Sequence, residues 1–133
     1  MERVYTTPRL DKLGVKPGVR VALVGLEDEA FEAALRDRTH DITRGDPLPD
    51  THVVVFAADS REALGRLPAL RERIVPNGAI WVVSRKGRAA TIRDVDVIDA
   101  ARAAALVDNK VASFDETRTS LRLVIPVALR PAP

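Results

Sequence analysis

Cysteine is absent from this 133-residue sequence, and aromatic side chains are few: three phenylalanines, one tryptophan and one tyrosine. Without thiols the chain cannot form disulfides, thiolate metal sites or a cysteine nucleophile, and the composition fits a reducing compartment such as the cytoplasm. No apolar run reaches the roughly 20 residues that span a membrane, and the N-terminus lacks the apolar core of a signal peptide. We therefore expect a cytoplasmic protein without a membrane segment.

Signatures of metal sites and of nucleophilic catalysis are also missing. His40 and His52 have no partner ligand at a zinc-binding spacing, and no serine lies in the Gly-x-Ser-x-Gly motif of a nucleophile elbow. The sequence has 21 basic and 19 acidic residues, which gives a net charge of only +2. This balance disfavours a nucleic-acid partner, because nonspecific affinity for nucleic acid depends on concentrated positive charge. We predict no metal site and no catalytic residue from these patterns.

The clearest feature that is present is a strand–helix–strand unit from Thr51 to Ser84. After His52, residues 53–58 are all apolar, which is typical of a strand that is covered on both faces. Leucines then recur at helical spacing over residues 61–73, where Pro68 predicts a kink or a fresh helix start.

The second half of this unit begins with Pro76-Asn77-Gly78, which we expect to end the helix. Residues 79–83 follow as a second apolar strand, with Trp81 as part of the core because its neighbours are all apolar. Two buried strands joined by a helical crossover are almost always parallel neighbours with a right-handed connection. The unit therefore predicts a doubly wound α/β domain.

The rest of the chain supplies further elements around this unit. They are a strand over Val19–Gly25, a helix over Asp28–Arg38, a short strand over His40–Thr43, a helix from a capping box at Thr91 to about Leu106, and a closing antiparallel hairpin of Lys110–Phe114 and Leu121–Ile125.

Together the elements predict a single α/β domain of three layers, with helices on both faces of a mostly parallel sheet. We expect about six strands in the spatial order second, first, third, fourth, sixth, fifth, closed by the antiparallel C-terminal hairpin. We expect the whole chain, residues 1–133, to form this Rossmann-like domain. Residues 1–18 are interpreted as a lead-in segment, and residues 127–133 as a frayed tail.

Several short segments resemble a known family in their sequence and order. They are Lys12-Leu13-Gly14-Val15-Lys16-Pro17-Gly18, Pro76-Asn77-Gly78-Ala79-Ile80-Trp81, Val107-Asp108-Asn109-Lys110-Val111 and Asp115-Glu116-Thr117. The chain is similar in these segments to a bacterial family of short class I methyltransferase-like proteins that is classed as a domain of unknown function. The resemblance implies a shortened class I methyltransferase fold and carries over no catalytic residues.

The predicted winding places a candidate ligand site where the first strand and the central strand end. Gly25 follows the first strand, and Asp59 and Ser60 follow the central one. A dinucleotide or methyltransferase loop needs several glycines so that the backbone can approach the cofactor. This loop offers one glycine followed by Leu26, which disfavours a pyrophosphate ligand.

Acidic residues at the start of the next helix bear on the same site. The run Glu27-Asp28-Glu29 would repel phosphate, but it does not exclude S-adenosylmethionine, which carries none. The simpler interpretation is that these acids cap the helix. Asp46 lies where an acid meets the ribose in nucleotide-binding folds, although an aspartate in Gly45-Asp46-Pro47 is also a typical turn residue. The candidate cofactor residues are thus Gly25, Glu27, Asp46, Asp59 and Ser60, with S-adenosylmethionine as the candidate cofactor.

A basic loop provides a second candidate site. Arg85, Lys86 and Arg88 lie between the end of a strand and the start of a helix, where cations and free helix N–H groups can bind an anion. The alternative is a solvated basic loop without a ligand.

Three functional hypotheses follow from these features. The first is a non-enzymatic Rossmann-like domain that binds a small molecule or a protein partner. The second is a divergent S-adenosylmethionine-dependent methyltransferase, and the third is a binder of anions or nucleic acid through the basic loop. The missing glycine loop favours the first hypothesis and a protein that is not an enzyme. Self-association into a homo-oligomer is left open by the sequence.

Overall fold

The computed structural model describes residues 9–131 and confirms the predicted α/β architecture. Six strands form one sheet in the order β2-β1-β3-β4-β6-β5, which is the predicted order. The strands are β1 (Val21–Val24), β2 (Ile42–Arg44), β3 (Thr51–Ala57), β4 (Ile74–Arg85), β5 (Val107–Ser113) and β6 (Arg118–Val124). The helices are α1 (Glu29–Arg36), α2 (Arg61–Leu64), α3 (Leu67–Arg71) and α4 (Asp94–Ala103).

Strand direction in the sheet follows the predicted pattern as well. Strands β1 to β4 pair in parallel, whereas β6 pairs antiparallel with both β4 and β5. The β5–β6 hairpin therefore closes one end of the sheet. Within residues 9–131, no helix has the length and apolar character needed to cross a membrane.

The central strand β3 is covered on both faces, as its continuous apolar sequence predicts. Val54 and Phe56 pack in one core with α2, α3 and α4, while Val53 and Val55 belong to a second core on the opposite face. All four side chains are almost fully buried. Because both faces are apolar, the strand is stable only between two layers of helix and loop.

The predicted lead-in segment supplies part of the second core. A helical turn over residues 9–12 is followed by the buried side chains of Leu13 and Val15. The Trp81 indole Nε1–H donates a hydrogen bond to the Leu13 carbonyl at 2.9 Å, so the buried indole is paired and Trp81 is a core residue. Residues 1–8 of the predicted lead-in lie outside the described residues.

The crossover between β3 and β4 differs from the expected single helix. Two short helices, α2 and α3, replace it, and α3 has Pro68 in its first turn. This corresponds to the fresh start that was one of the two expectations for Pro68. Ser60 begins α2, since its hydroxyl oxygen accepts a hydrogen bond from the Ala63 amide at 3.0 Å.

Pro76-Asn77-Gly78 does not end a helix, and this expectation was wrong. The three residues lie inside β4, where the register with β3 shifts: Thr51 pairs with Ile74, but Val53 pairs with Ala79. The extra residues form an irregularity of the bulge type. Gly78 is needed there because a Cβ atom on it would lie 2.9 Å from the His52 carbonyl oxygen.

The ends of the chain's last elements also differ from the expected boundaries. Helix α4 begins at Asp94 instead of Thr91, because the Arg93 amide donates to the Asp96 carboxylate at 2.8 Å and starts the helix there. The predicted frayed tail contains a 3₁₀ turn, Val127–Leu129, and Arg130 donates to the Ile125 carbonyl at 2.9 Å. Residues 132 and 133 lie outside the described residues.

We predict that Gly78→Ala destabilises the fold by about 1–3 kcal/mol, because the new methyl group must displace backbone rather than a flexible side chain. Urea unfolding of the variant and the parent protein measures this change. Asn77→Ala, at the exposed neighbouring position, is the control and should stay within about 0.5 kcal/mol of the parent. Equal unfolding midpoints for the Gly78→Ala variant and the parent would contradict the close backbone approach.

Candidate functional site

The carboxyl ends of the parallel strands meet at one edge of the sheet, where the winding reverses between β1 and β3. Gly25 follows β1 at this point with a φ of +72°, in the left-handed region, and a Cβ on it would lie 3.2 Å from the Ala57 carbonyl oxygen. Both properties favour glycine. In open α/β sheets, ligands bind in the crevice at this kind of switch point.

Two of the three acids after Gly25 interact with the N-terminus of α1. Asp28 is the N-cap: one carboxylate oxygen accepts the Phe31 amide at 3.0 Å, and the other accepts the Arg118 guanidinium at 2.7 Å. Glu29 is the first residue of α1, where negative charge suits the helix dipole. The structure therefore agrees with the interpretation that acids cap this helix.

An open cleft of about 660 Å³ lies beside the start of α1. Its lining contains four carboxylates and two guanidinium groups and consists of Leu26, Glu27, Asp28, Glu29, Glu32, Arg36 and Arg44. We call it the acidic cleft.

The charges of the acidic cleft are only partly compensated. Glu32 is engaged by Arg44, whose Nε lies 3.0 Å from both carboxylate oxygens, and by Arg36 at 3.5 Å. The hydrogen bond from Arg44 lowers the pKa of Glu32, so this acid stays ionised. Among residues 9–131, Glu27 and Glu29 have no ion-pair partner, and both line the cleft.

The other predicted cofactor residues do not line the acidic cleft. Asp46 is exposed and forms an ion pair with Arg66 at 3.0 Å. The last residue of β2 is Arg44, and Asp46 follows it two positions later in the loop. Asp59 and Ser60 line a different cleft, which lies between the loop after β3 and the segment before α4.

The three cations of the basic loop have separate surroundings. The Arg85 amide donates to Asp59 at 2.9 Å, and its Nε lies 3.5 Å from the same carboxylate. The Lys86 ammonium donates to the Ser113 hydroxyl at 3.0 Å. Arg88 is exposed in a 3₁₀ turn, Gly87–Ala89. Two of the three predicted anion-binding residues are therefore tied to other side chains.

One cluster at this edge was not predicted from the sequence. Arg118 bridges two carboxylates, Asp28 at 2.7 Å and Asp115 at 2.6 Å, and its guanidinium lies 4.9 Å from the centre of the Phe114 ring. Asp115 also accepts the Arg118 amide at 2.8 Å, which shapes the hairpin turn. The bridge joins the start of α1 to the turn between β5 and β6.

Arg9 extends this cluster toward the N-terminal segment. Its guanidinium lies 5.0 Å from the ring centre of Phe31 and 4.8 Å from that of Phe114, and these two rings are 5.1 Å apart. Arg9 also donates to the Phe114 carbonyl at 3.1 Å. Cation–π contacts of this kind are strengthened when water is excluded. The only local sequence signal was the spacing of Asp115 and Arg118, because the other partners are distant in the chain.

Burial and pairing oppose each other in the pKa values of this cluster. Burial disfavours the charged form of Asp115, but hydrogen bonds from the Arg118 side chain and the Thr117 amide outweigh it and lower the pKa of Asp115. Burial also disfavours the charge of Arg118, yet Asp115 and Asp28 raise the pKa of its guanidinium. The bridge is therefore ionised at neutral pH.

Comparison with solved structures supports the fold at high similarity of shape and low identity of sequence. A methyltransferase from Aquifex aeolicus that depends on S-adenosylmethionine superposes with a TM-score of 0.70 at 14% identity, over 90% of this chain and 89% of that one. The magnesium protoporphyrin IX methyltransferase of Synechocystis, solved with bound S-adenosylmethionine, gives 0.67 at 11% identity, over 92% and 79%. The pyocyanin biosynthetic protein PhzM gives 0.69 at 10%, over 86% of this chain and 52% of that one.

These similarities establish a class I methyltransferase-like fold for the chain. No protein-family model matches it, and no curated protein matches it at a significant level. The resemblance seen in the sequence is thus supported at the level of the fold, and the activity is a separate question.

We predict that Asp115→Asn makes the free energy of unfolding less dependent on pH in the acidic range. A carboxylate whose pKa is lowered in the folded state stabilises the protein above its unfolded pKa of about 3.9, and this contribution is lost as the pH falls through the folded value. At neutral pH the variant should be less stable than the parent by about 1–2 kcal/mol.

Urea unfolding over a series of pH values measures this dependence. The stability difference between parent and variant should be constant above about pH 5 and shrink below about pH 4. Glu116→Gln, at the exposed next position, is the control and should change neutral-pH stability by less than about 0.5 kcal/mol. If the stability difference between parent and variant did not shrink below about pH 4, the ionised carboxylate of Asp115 would not be the source of the stabilisation.

Proposed function

We propose that this domain binds S-adenosylmethionine in the acidic cleft and is a divergent methyltransferase that depends on it. The observation behind the proposal is that Glu27 and Glu29, which line the acidic cleft beside the β1–β3 switch point, form no ion pair with any of residues 9–131. The fold shared with methyltransferases that use this cofactor supports the same assignment.

The residues of the cleft fit this ligand in charge and in size. S-adenosylmethionine carries a positively charged sulfonium and no phosphate, so carboxylates attract it where they would repel a dinucleotide. A volume of about 660 Å³ falls within the usual range of small-molecule sites. Gly25 has no side chain, so a ligand can approach the backbone at the end of β1. The cleft departs from the usual pattern in having one glycine and in having Arg44, not an acid, at the end of β2.

In this proposal, Glu27 and Glu29 hold the cationic part of the ligand, and the Gly25–Leu26 backbone approaches it. The bound ligand would supply a methyl group that is already activated by the sulfonium. The chain's own contribution is then to position the acceptor and to exclude water, because a transfer of this kind gains chiefly from alignment.

A second candidate function is a binding domain without methyl transfer. It is favoured by the pairing of the carboxylates that could act as a base: Asp28 is held by Arg118 and the start of α1, and Asp59 by Arg85. Incubation of the protein with S-adenosylmethionine and a set of phenol, amine and carboxylate acceptors separates the two candidates. Formation of the demethylated product, followed by mass spectrometry, supports transfer; retention of the unchanged ligand supports binding alone.

We predict that calorimetry detects S-adenosylmethionine binding and that Glu27→Gln with Glu29→Gln weakens it about 3- to 10-fold. The demethylated product should lose less affinity in the same variant, because its thioether carries no charge. A double variant at two other exposed acids, Glu62→Gln with Glu72→Gln, is the control and should bind like the parent.

Two results would contradict this proposal. One is the absence of heat for both compounds at high protein concentration. The other is equal weakening of the two compounds by the Glu27 and Glu29 changes, which would remove the role of the sulfonium. Four further properties remain predictions from the sequence: a cytoplasmic location, a protein partner, homo-oligomer formation and membership of the bacterial family of methyltransferase-like proteins.

A further inference from the structure

A second cleft lies at the same edge of the sheet, between the loop after β3 and the segment before α4. Its volume is about 680 Å³, and it is lined by Asp59, Ser60, Arg61, Ala90, Thr91, Ile92, Arg93 and Asp96. The Thr91 hydroxyl donates to the Asp59 carbonyl and ties the two sides of this cleft together. We call it the paired cleft, because its carboxylates already have partners.

Both carboxylates of the paired cleft are compensated within the protein. Asp96 accepts Arg61 at 2.8 and 3.1 Å and the Arg93 amide at 2.8 Å, and the hydrogen bond from Arg93 is the main reason why the pKa of Asp96 is lowered. Asp59 accepts the Arg85 amide at 2.9 Å and lies 3.5 Å from the Arg85 side chain. Neither acid is left to attract a cation.

The Arg93 guanidinium acts on Asp96 through its charge, which helps to lower the pKa of that acid. Among residues 9–131 the Arg93 side chain takes part in no ion pair, and it is exposed on the lining of the cleft. With Arg85 included, guanidinium groups outnumber carboxylates three to two around this cleft. In the acidic cleft, with Arg118 included as the partner of Asp28, carboxylates outnumber guanidinium groups four to three. The two clefts thus differ in the sign of the charge they present.

We propose that the paired cleft binds a compact anionic group, a carboxylate or a phosphate, of a small molecule through the Arg93 guanidinium. Ser60 lines the same cleft, and its hydroxyl, which accepts the Ala63 amide, can still donate its proton to such a ligand, whereas the Thr91 proton is held by the Asp59 carbonyl. This assignment differs from the predicted basic loop, because Arg85 and Lys86 are tied to Asp59 and Ser113. It does not depend on S-adenosylmethionine. If both proposals hold, the anionic molecule is a candidate methyl acceptor.

Amide chemical shifts of the full chain, labelled with ¹⁵N, test this inference in the absence of S-adenosylmethionine. Inorganic phosphate and acetate are titrated separately, with sodium chloride at matched ionic strength as the reference. We expect saturable shifts at Ser60, Thr91 and Arg93 with at least one of the two anions. The anion that saturates at the lower concentration identifies the preferred chemistry.

Variants at two arginines of one segment make the test specific. Arg93→Gln should weaken binding roughly 2- to 5-fold, Arg93→Lys should retain most of it, and Arg102→Gln, in the last turn of α4, should leave it unchanged. The amide spectrum of each variant also shows that it is folded. Shifts that do not saturate, that match the chloride reference, that map elsewhere, or that Arg93→Gln and Arg102→Gln weaken equally would overturn the proposal.

Discussion

The pairing of β3 with a parallel neighbour on each side is the constraint on which the rest of the molecule depends. A strand in this position has no free edge, and its apolar side chains are buried on both faces of the sheet. Helices α2, α3 and α4 cover one of its faces, and α1 with residues 9–15 covers the other. Because β1 leads to β2 on one side and β3 to β4 on the other, the same pairing creates the switch point where the candidate ligand site lies.

Electrostatic bridges complete this edge of the sheet. Arg118 links the start of α1 to the hairpin turn, and Arg9 contacts both rings of the Phe31–Phe114 pair. Removal of Arg118 would leave the partly buried carboxylates of Asp28 and Asp115 without this partner, which costs more than the bridge itself contributes. Beside these contacts lie the acidic cleft and the paired cleft. Within residues 9–131, Glu27 and Glu29 in the first and Arg93 in the second form no ion pair. Both proposals of ligand binding depend on these charges rather than on a glycine loop.

Much of the fold could be predicted from local sequence patterns, because the strands that define it are continuously apolar. Residues 53–58 and 79–83 indicate a buried parallel pair without reference to any partner. Pro76-Asn77-Gly78 misled the prediction, since these residues usually break regular structure and here form an irregularity within β4. Their place depends on the register with β3, which is a property of two distant segments.

The site was less predictable for the same reason. Asp28 at the start of α1 follows from local capping preferences, whereas its second partner, Arg118, follows it by 90 positions. Likewise, Asp46 has the spacing of a ribose-binding acid but pairs with Arg66, a contact that only the folded crossover creates. Charges that are paired and charges that are not look alike in a sequence, and the proposals for the two clefts depend on this difference.

The central claim is that the acidic cleft beside Gly25 holds S-adenosylmethionine. A crystal structure of the full chain grown with the demethylated product tests it most directly, because it shows both whether and where the ligand binds. We expect ligand density along Gly25–Leu26 with its thioether sulfur, the atom that carries the charge in S-adenosylmethionine, beside Glu27 and Glu29. Well-ordered crystals with ligand density in another place, or with none at saturating concentration, would contradict the account.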